Sequence, residues 1–312
     1  MTLQVTEEQE GLRLDQCLAD MLEFSRSYLQ KLIKTENVSI NGNLTTKGKV
    51  PVHIEDEIKI FIPEPEKLEI LPENLHLDIL YEDEDLLIVN KPKDMVVHPA
   101  PGHMSHTLVN GLLYHCKGNL SAINGVLRPG IVHRIDKDTT GALVVCKNDL
   151  AHRSLAEQLS IHSITRKYQA IVYHNFLEEE GTVETYIGRH PVHRKKMAVV
   201  SSENGRRAIT HYRVLDHLNH QFNYIECKLE TGRTHQIRVH MSHLQHPLLG
   251  DEIYGPKNPT RFSNLQGQTL HAKIIGFQHP RTNQYIEVEA PLPQYFVDLL
   301  KTLEKERKIV LF

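Results

Sequence analysis

The sequence predicts an α+β protein, a large domain around a mixed, largely antiparallel β-sheet preceded by a small αα-ββ module. Three observations carry that expectation. Seven segments beyond residue 80 have strand patterning, and they do not alternate regularly with helices as a doubly wound sheet requires. Residues 13–44 instead show two short helical periods followed by an Asn-Gly turn. Between these regions lies a stretch with prolines at 63, 65 and 72 and many acids, which reads as a linker. The expected boundaries are 1–62 for the module, 63–80 for the acidic linker and 81–312 for the large domain.

In chain order, Leu14, Cys17, Leu18, Met21 and Leu22 recur at helical spacing and predict a first helix. Ser25 then offers an N-cap for a second, with Tyr28, Leu29, Leu32 and Ile33 on one face and Arg26, Lys31 and Lys34 elsewhere. Val38 and Ile40 alternate before Asn41-Gly42, a tight hairpin signal, and residues 57–62 close the module as a strand. Strands are expected at 85–92, 131–136, 142–147, 167–173, 210–216, 222–230 and 284–290. Helices are expected at 106–116, 149–161, 234–244 and 293–306.

Length and composition narrow the function classes. With 312 residues, 40% of them apolar, the chain suits one large domain with a small partner. The N-terminus lacks the basic and apolar regions of a signal peptide, and no run of about 18 apolar residues occurs, so a cytoplasmic protein with no membrane partner is expected. Four widely spaced cysteines without a C-x-x-C pair signal neither a disulfide framework nor a zinc knuckle. The net charge of −3 conceals a strong asymmetry. Residues 63–85 carry nine acids against one Lys, whereas 186–240 carry ten Lys or Arg against four acids. Such separation builds a basic cleft on a nearly neutral protein, as a phosphate backbone requires.

The motif GIVHRIDKDTTG (130–141) places a carboxylate beside a guanidinium ahead of turn residues. By itself it fits a corner in which Asp136 caps a turn and pairs with Arg134, or a reactive site. A kinase catalytic loop is disfavoured because Ile135 intervenes and no glycine-rich phosphate loop occurs. A second segment, LETGRTHQIRVHMSHLQHPLLGDEIYG (229–255), concentrates Arg233, His235, Arg238 and His240 around a glycine turn, and a guanidinium from it would hold a carboxylate ionised. A third, TRKYQAIV (165–172), sets Tyr168 beside Arg166 and Lys167, the aromatic face and cations that a base drawn out of an RNA stack would need. His235, His240, His243 and His246 invite a metal reading, but a metal site requires converging ligands with second-shell carboxylates, which this spacing does not signal, and no metal is expected.

Taken in order, GIVHRIDKDTTG, RKYQA, IGRHPVHRKKMAV and LETGRTHQIRVH resemble the RluA family of RNA pseudouridine synthases, from about residue 10 to residue 290. MVVHPAPG (95–102) and IGRHPVHRKKMAV are most similar to the type D branch, which acts on the large ribosomal subunit RNA. Residues 13–60 resemble the S4 RNA-binding module, departing from it at Glu36-Asn37, where a Gly is common. The resemblance implies a cofactor-free isomerase that converts uridines of 23S rRNA, at helix 69 type sites, to pseudouridine. It implies Asp136 as the catalytic carboxylate, Arg238 as its ion-pair partner and Tyr168 stacked on the target base. Arg134 would fill the gap left by the flipped uridine, with Arg233, His133, Arg194 and Lys195 as further RNA contacts and Arg26, Lys31 and Lys34 gripping phosphates from the module. Free rRNA and an assembling large subunit both fit as the substrate, and a monomer is the default. The competing expectation is a non-catalytic RNA-binding or ribosome-assembly factor; intact Asp136, Tyr168 and Arg238 speak against it.

Overall fold

The computed structural model describes residues 1–63, 70–100, 103–125, 127–193, 196–256, 262 and 265–310, with the backbone alone at 308–310. The chain divides into two compact units, Met1–Lys67 and Leu68–Phe312. Among the described residues, no helix is long and apolar enough to cross a membrane.

The first unit contains β1 (Thr2–Gln4), α1 (Leu14–Met21), α2 (Arg26–Lys34), β2 (Val38–Ile40), β3 (Asn43–Leu44) and β4 (Glu57–Ile60). Its four strands pair in the order β1-β4-β2-β3. Leu14, Cys17 and Leu18 of α1 and Leu29, Leu32 and Ile33 of α2 pack on Val38, Ile58 and Ile60, so the helical apolar period becomes one buried face. Ser25 caps α2 by accepting from the Tyr28 amide. Asn41 and Gly42 both have positive φ, 50° and 83°, the conformation a tight hairpin demands. Glu36, just beyond α2, also has φ 59°, which a Gly adopts without steric cost.

The second unit runs β5 (Ile79–Glu82), β6 (Leu86–Lys91), α3 (Leu108–His115), β7 (Thr140–Cys146), α4 (Asp149–Ser160), β8 (Thr165–Tyr173), β9 (Glu180–Arg189), β10 (Met197–Val200), β11 (Arg206–His217), β12 (Phe222–Leu229), α5 (Gln236–His243), β13 (Leu270–Gln278), β14 (Tyr285–Glu289) and α6 (Gln294–Val310). Among the described residues these strands form a ten-stranded sheet in the order β10-β9-β11-β12-β8-β13-β7-β6-β5, with β14 beside β13. Its pairings are antiparallel except β13 with β7, so the expected mixed, largely antiparallel α+β sheet is present. The largest core cluster joins Leu143 and Val145 of β7, Ala170 and Val172 of β8, Ile225 of β12 and Ile237 and Met241 of α5.

Several expectations need correction. Residues 131–136 are not a strand: only Ile131 bridges to Val145, and the rest is a loop. Its apolar Ile131 and Ile135 are buried because the loop lies on the core, which imitates strand patterning. β1, β5, β9, β10 and β13 form outside the segments expected as strands. The unit boundary falls at Lys67/Leu68, inside the expected linker, and Ile70 and Leu77 pack against the large unit's core. The Glu73 amide also donates to the Asn110 carbonyl, tying that segment to α3.

Candidate active site

The Asp136 loop is pinned from several sides. The Val144 amide donates to His133 Nε2 at 3.1 Å, and the Thr139 amide donates to the Asp136 carbonyl. The fully buried Lys91 donates from Nζ to the carbonyls of Pro92, Met95 and Lys137 at 2.9, 2.9 and 2.8 Å, so the three hydrogens of an ammonium each have an acceptor. Burial nonetheless pushes the Lys91 ammonium down to about 7. Directly after the loop, Gly141 has φ 105°, and a Cβ there would strike the backbone of Ala272 on β13. Glycine thus lets β7 begin in close parallel contact with β13 immediately behind Asp136.

The carboxylate itself has two distinct neighbours. Arg238 Nη1 donates to Asp136 Oδ2 at 2.8 Å, while His235 Nε2 stands 3.9 Å from Oδ1. Arg238 is 5% exposed, and its Nε and Nη2 grip the buried Asp251 at 2.7 and 2.9 Å. Burial alone would push the guanidinium down, but Asp251 and Asp136 together raise it above its ordinary range. The turn ahead of α5 is held by Gln236, whose Oε1 accepts from Thr231 Oγ1 and the Arg233 amide and whose Nε2 donates to the Ile209 carbonyl. In that turn His235 has φ 57°, a left-handed conformation of the kind that clusters at functional sites.

These residues floor a cleft of about 760 Å³. Among the described residues its lining includes six guanidiniums, Arg128, Arg134, Arg166, Arg206, Arg233 and Arg238, but one carboxylate, Asp136. Tyr168 lies on β8, registered between Cys227 and Ala272, and is 7% exposed in the same lining. Burial raises its hydroxyl, with Arg166 opposing and Asp136 adding, so it is a neutral phenol near pH 7. Asp136, Tyr168 and Arg238, far apart in sequence, are therefore brought together.

The other named residues separate. Arg134 is exposed at the cleft and makes no side-chain hydrogen bond among the described residues. Arg233 Nε donates to the Arg207 carbonyl, leaving the rest of its guanidinium in the cleft. His133 lines the cleft too, but burial and then Arg166 push its ring down to about 3, and Nε2 is taken by a backbone amide. It is an uncharged brace of the loop that still lines the cleft. Arg194 and Lys195 lie outside the described residues. In the first unit Lys31 and Lys34 are exposed on α2, while Arg26 reaches the buried Asp15 at 3.5 Å. His240 bonds Thr185 and Thr210, and His246 stacks on Phe176 with ring centroids 3.7 Å apart.

Sequence reasoning missed Asp251, Tyr254, Lys91, Arg128 and Arg206. Asp251 and Tyr254 stand in the quoted GDEIYG string, but nothing local distinguishes them from a polar turn. Arg166 was noticed only as a neighbour of Tyr168. It is buried, donates to the Glu230 carbonyl at 2.8 Å, and leaves Nε without a protein partner among the described residues.

Residues 85–243 match the family model described as RNA pseudouridylate synthase. The chain belongs to the RNA pseudouridine synthases. The Bacillus subtilis protein called uncharacterized RNA pseudouridine synthase YlyB is 48% identical to this synthase over 301 residues, covering 96% of this chain and 97% of the relative. The Zymomonas mobilis ribosomal large subunit pseudouridine synthase D is also 48% identical, over 307 residues and 96% of each chain. Among solved structures, human RNA Pseudouridylate Synthase Domain Containing 1 superposes with a TM-score of 0.56 at 26% identity, covering 77% of this chain and 97% of that one. The synthase is accordingly an isomerase acting on uridines of RNA. The matched span holds Asp136, Tyr168 and Arg238, while Asp251 and Tyr254 fall just beyond it.

Proposed function

We propose that this synthase isomerises uridines of the large ribosomal subunit RNA, 23S rRNA at helix 69 type sites, with Asp136 as the catalytic carboxylate. The observation that carries the reading is Asp136, the one carboxylate among the described residues lining a six-arginine cleft, hydrogen-bonded through Oδ2 to Arg238. Pseudouridylation breaks the C1′–N1 bond, turns the uracil and rejoins C1′ to C5; the C5 proton leaves and N1 gains one, so no redox or phosphoryl chemistry is involved. Two roles are open to the carboxylate, attack on the sugar or removal of a sugar proton, and in either the Arg238 contact orients Oδ2 and leaves Oδ1 towards the cleft. Tyr168 provides the aromatic wall against which a flipped uracil stacks, with Arg166 behind it. Arg134, exposed at the cleft, fills the space that the uridine vacates. Arg128, Arg206 and Arg233 hold flanking phosphates.

The large-subunit assignment is supported by the curated relatives named ribosomal large subunit pseudouridine synthase D, including those of Zymomonas mobilis and Pasteurella multocida. The first unit acts as an S4-type RNA grip, with Lys31 and Lys34 presented on α2. The synthase works in the cytoplasm as a monomer, on large-subunit rRNA either free or in an assembling subunit. The test is tritium release from large-subunit rRNA carrying uridine tritiated at C5. Wild-type protein is expected to release tritium and Asp136→Asn to release none while binding RNA as wild type does. Release by Asp136→Asn at the wild-type rate would remove Asp136 from the chemistry; no release by either, with binding intact, would favour a non-catalytic binding factor.

A further inference from the structure

We infer that Tyr254 is a positioning residue that joins the start of β10 to Asp136 through His235. The inference rests on the catalytic reading of Asp136 given above.

Tyr254 stands where three parts of the site meet. Its backbone amide, like that of Ile253, donates to Asp251 Oδ1 at 3.0 Å. The carboxylate that grips Arg238 therefore also fixes the tyrosine's turn. The Tyr254 ring lies under the Arg238 guanidinium, 5.1 Å from its central carbon, within cation–π range. Its hydroxyl accepts from the Met197 amide at 2.8 Å and is 2.9 Å from His235 Nδ1. Met197 opens β10, directly behind the basic stretch that ends at Lys196, whose ammonium lies 5.8 Å from the same ring.

The hydrogen-bond chemistry gives this arrangement a direction. The phenol oxygen already accepts from a backbone amide, and its own hydrogen needs an acceptor in a half-buried site. Nδ1 of a neutral His235 supplies one, and burial favours the neutral ring. The imidazole proton then resides on Nε2, the nitrogen that faces Asp136 Oδ1. Each carboxylate oxygen consequently has its own donor: Arg238 on Oδ2 and, as the site tightens around RNA, His235 on Oδ1. Tyr254 braces both donors, Arg238 through its ring and His235 through its hydroxyl, so the aim of Nε2 at Oδ1 depends on that one hydroxyl.

Tyr254→Phe retains the ring and removes only that hydroxyl. Under this inference the single-turnover rate at saturating large-subunit rRNA falls about 10-fold or more, while RNA affinity stays within about two-fold. In a His235→Phe background the same change has no further effect, because the phenol acts through the imidazole. In the wild-type protein, the ¹⁵N signals of His235 show an unprotonated Nδ1 and a protonated Nε2, and Tyr254→Phe disturbs that tautomer. An unchanged rate, an effect that adds fully to His235→Phe, a loss of affinity without loss of rate, or an Nδ1-protonated ring in the wild type would each overturn it. The histidine spectrum requires no variant to fold. Asp136→Asn, run alongside, separates the two readings. Full activity in that variant defeats the catalytic assignment, whereas an inactive Asp136→Asn beside a normal Tyr254→Phe defeats this inference alone.

Discussion

Asp251→Ala should cost the large unit more stability than any exposed substitution, because it strands a buried guanidinium. Arg238 makes two of its three side-chain hydrogen bonds to Asp251, at 2.7 and 2.9 Å, and Asp251 is itself 3% exposed. Removing one partner of a buried ion pair costs about 3–5 kcal/mol, since the remaining charge stays desolvated. The lost caps on the Ile253 and Tyr254 amides add to that cost, as buried donors left unpaired do. For a unit of this size each kcal/mol moves Tm by about 2–4 °C, so a drop of roughly 6–20 °C is expected. Urea titration followed by near-UV circular dichroism measures the loss directly. A double change, Arg238→Leu with Asp251→Leu, should regain most of the stability, because apolar replacement of both partners of a buried pair is near neutral. It should not regain turnover, because Asp136 then lacks its cation. A loss below about 1 kcal/mol for Asp251→Ala would refute the reasoning, since it would mean that water or another group compensates Arg238 without penalty.

Three further outcomes are expected. His133 stands at about 3 in the fold against 6.5 when free, so the unfolded chain binds the proton first; its contribution is complete above pH 6.5 and is lost as pH falls towards 3. That gap amounts to roughly 4–5 kcal/mol, and His133→Gln, which keeps an acceptor for the Val144 amide, should flatten the stability curve over this window in acid titrations. Glu36→Gly should stabilise the first unit by about 1 kcal/mol by relieving the φ of 59°, read as slower hydrogen exchange of the α2 amides in the full chain. Arg233→Gln should weaken binding to all large-subunit RNA fragments alike and reduce the slope of log affinity against log salt by about 1, as loss of one phosphate contact does; an unchanged slope would take Arg233 off the phosphates.

Much of the architecture was legible because it is written in local patterns. The capped helix from Ser25, the Asn41-Gly42 hairpin and the buried stripe of α1 need only neighbouring residues to be recognised. The residues 131–136 were misread for an instructive reason: a loop lying on a core carries buried Ile131 and Ile135 just as a strand would. Its hydrogen bonds, however, are turn bonds and bonds involving side chains, with Asn124 Nδ2 donating to the Ile131 carbonyl and the Val144 amide donating to His133. Strand β13 went unmarked although it lies at the middle of the sheet, because a strand buried on both faces loses the alternation that would reveal it.

At the site the same division holds. Motif order and residue chemistry singled out Asp136, Tyr168 and Arg238 and pointed to RNA through the separation of basic from acidic segments. That Arg238 lies 2.8 Å from a carboxylate 102 residues away was decided only by α5 packing against the sheet. So was the employment of Asp251 and Tyr254 as its supports, and the burial that keeps His133 a neutral brace of the loop. A sequence records which groups a chain carries, and short-range spacing fixes their local geometry. Which charge meets which, and how far burial shifts each, depends on desolvation and distance across the fold, and those exist only once the sheet has assembled.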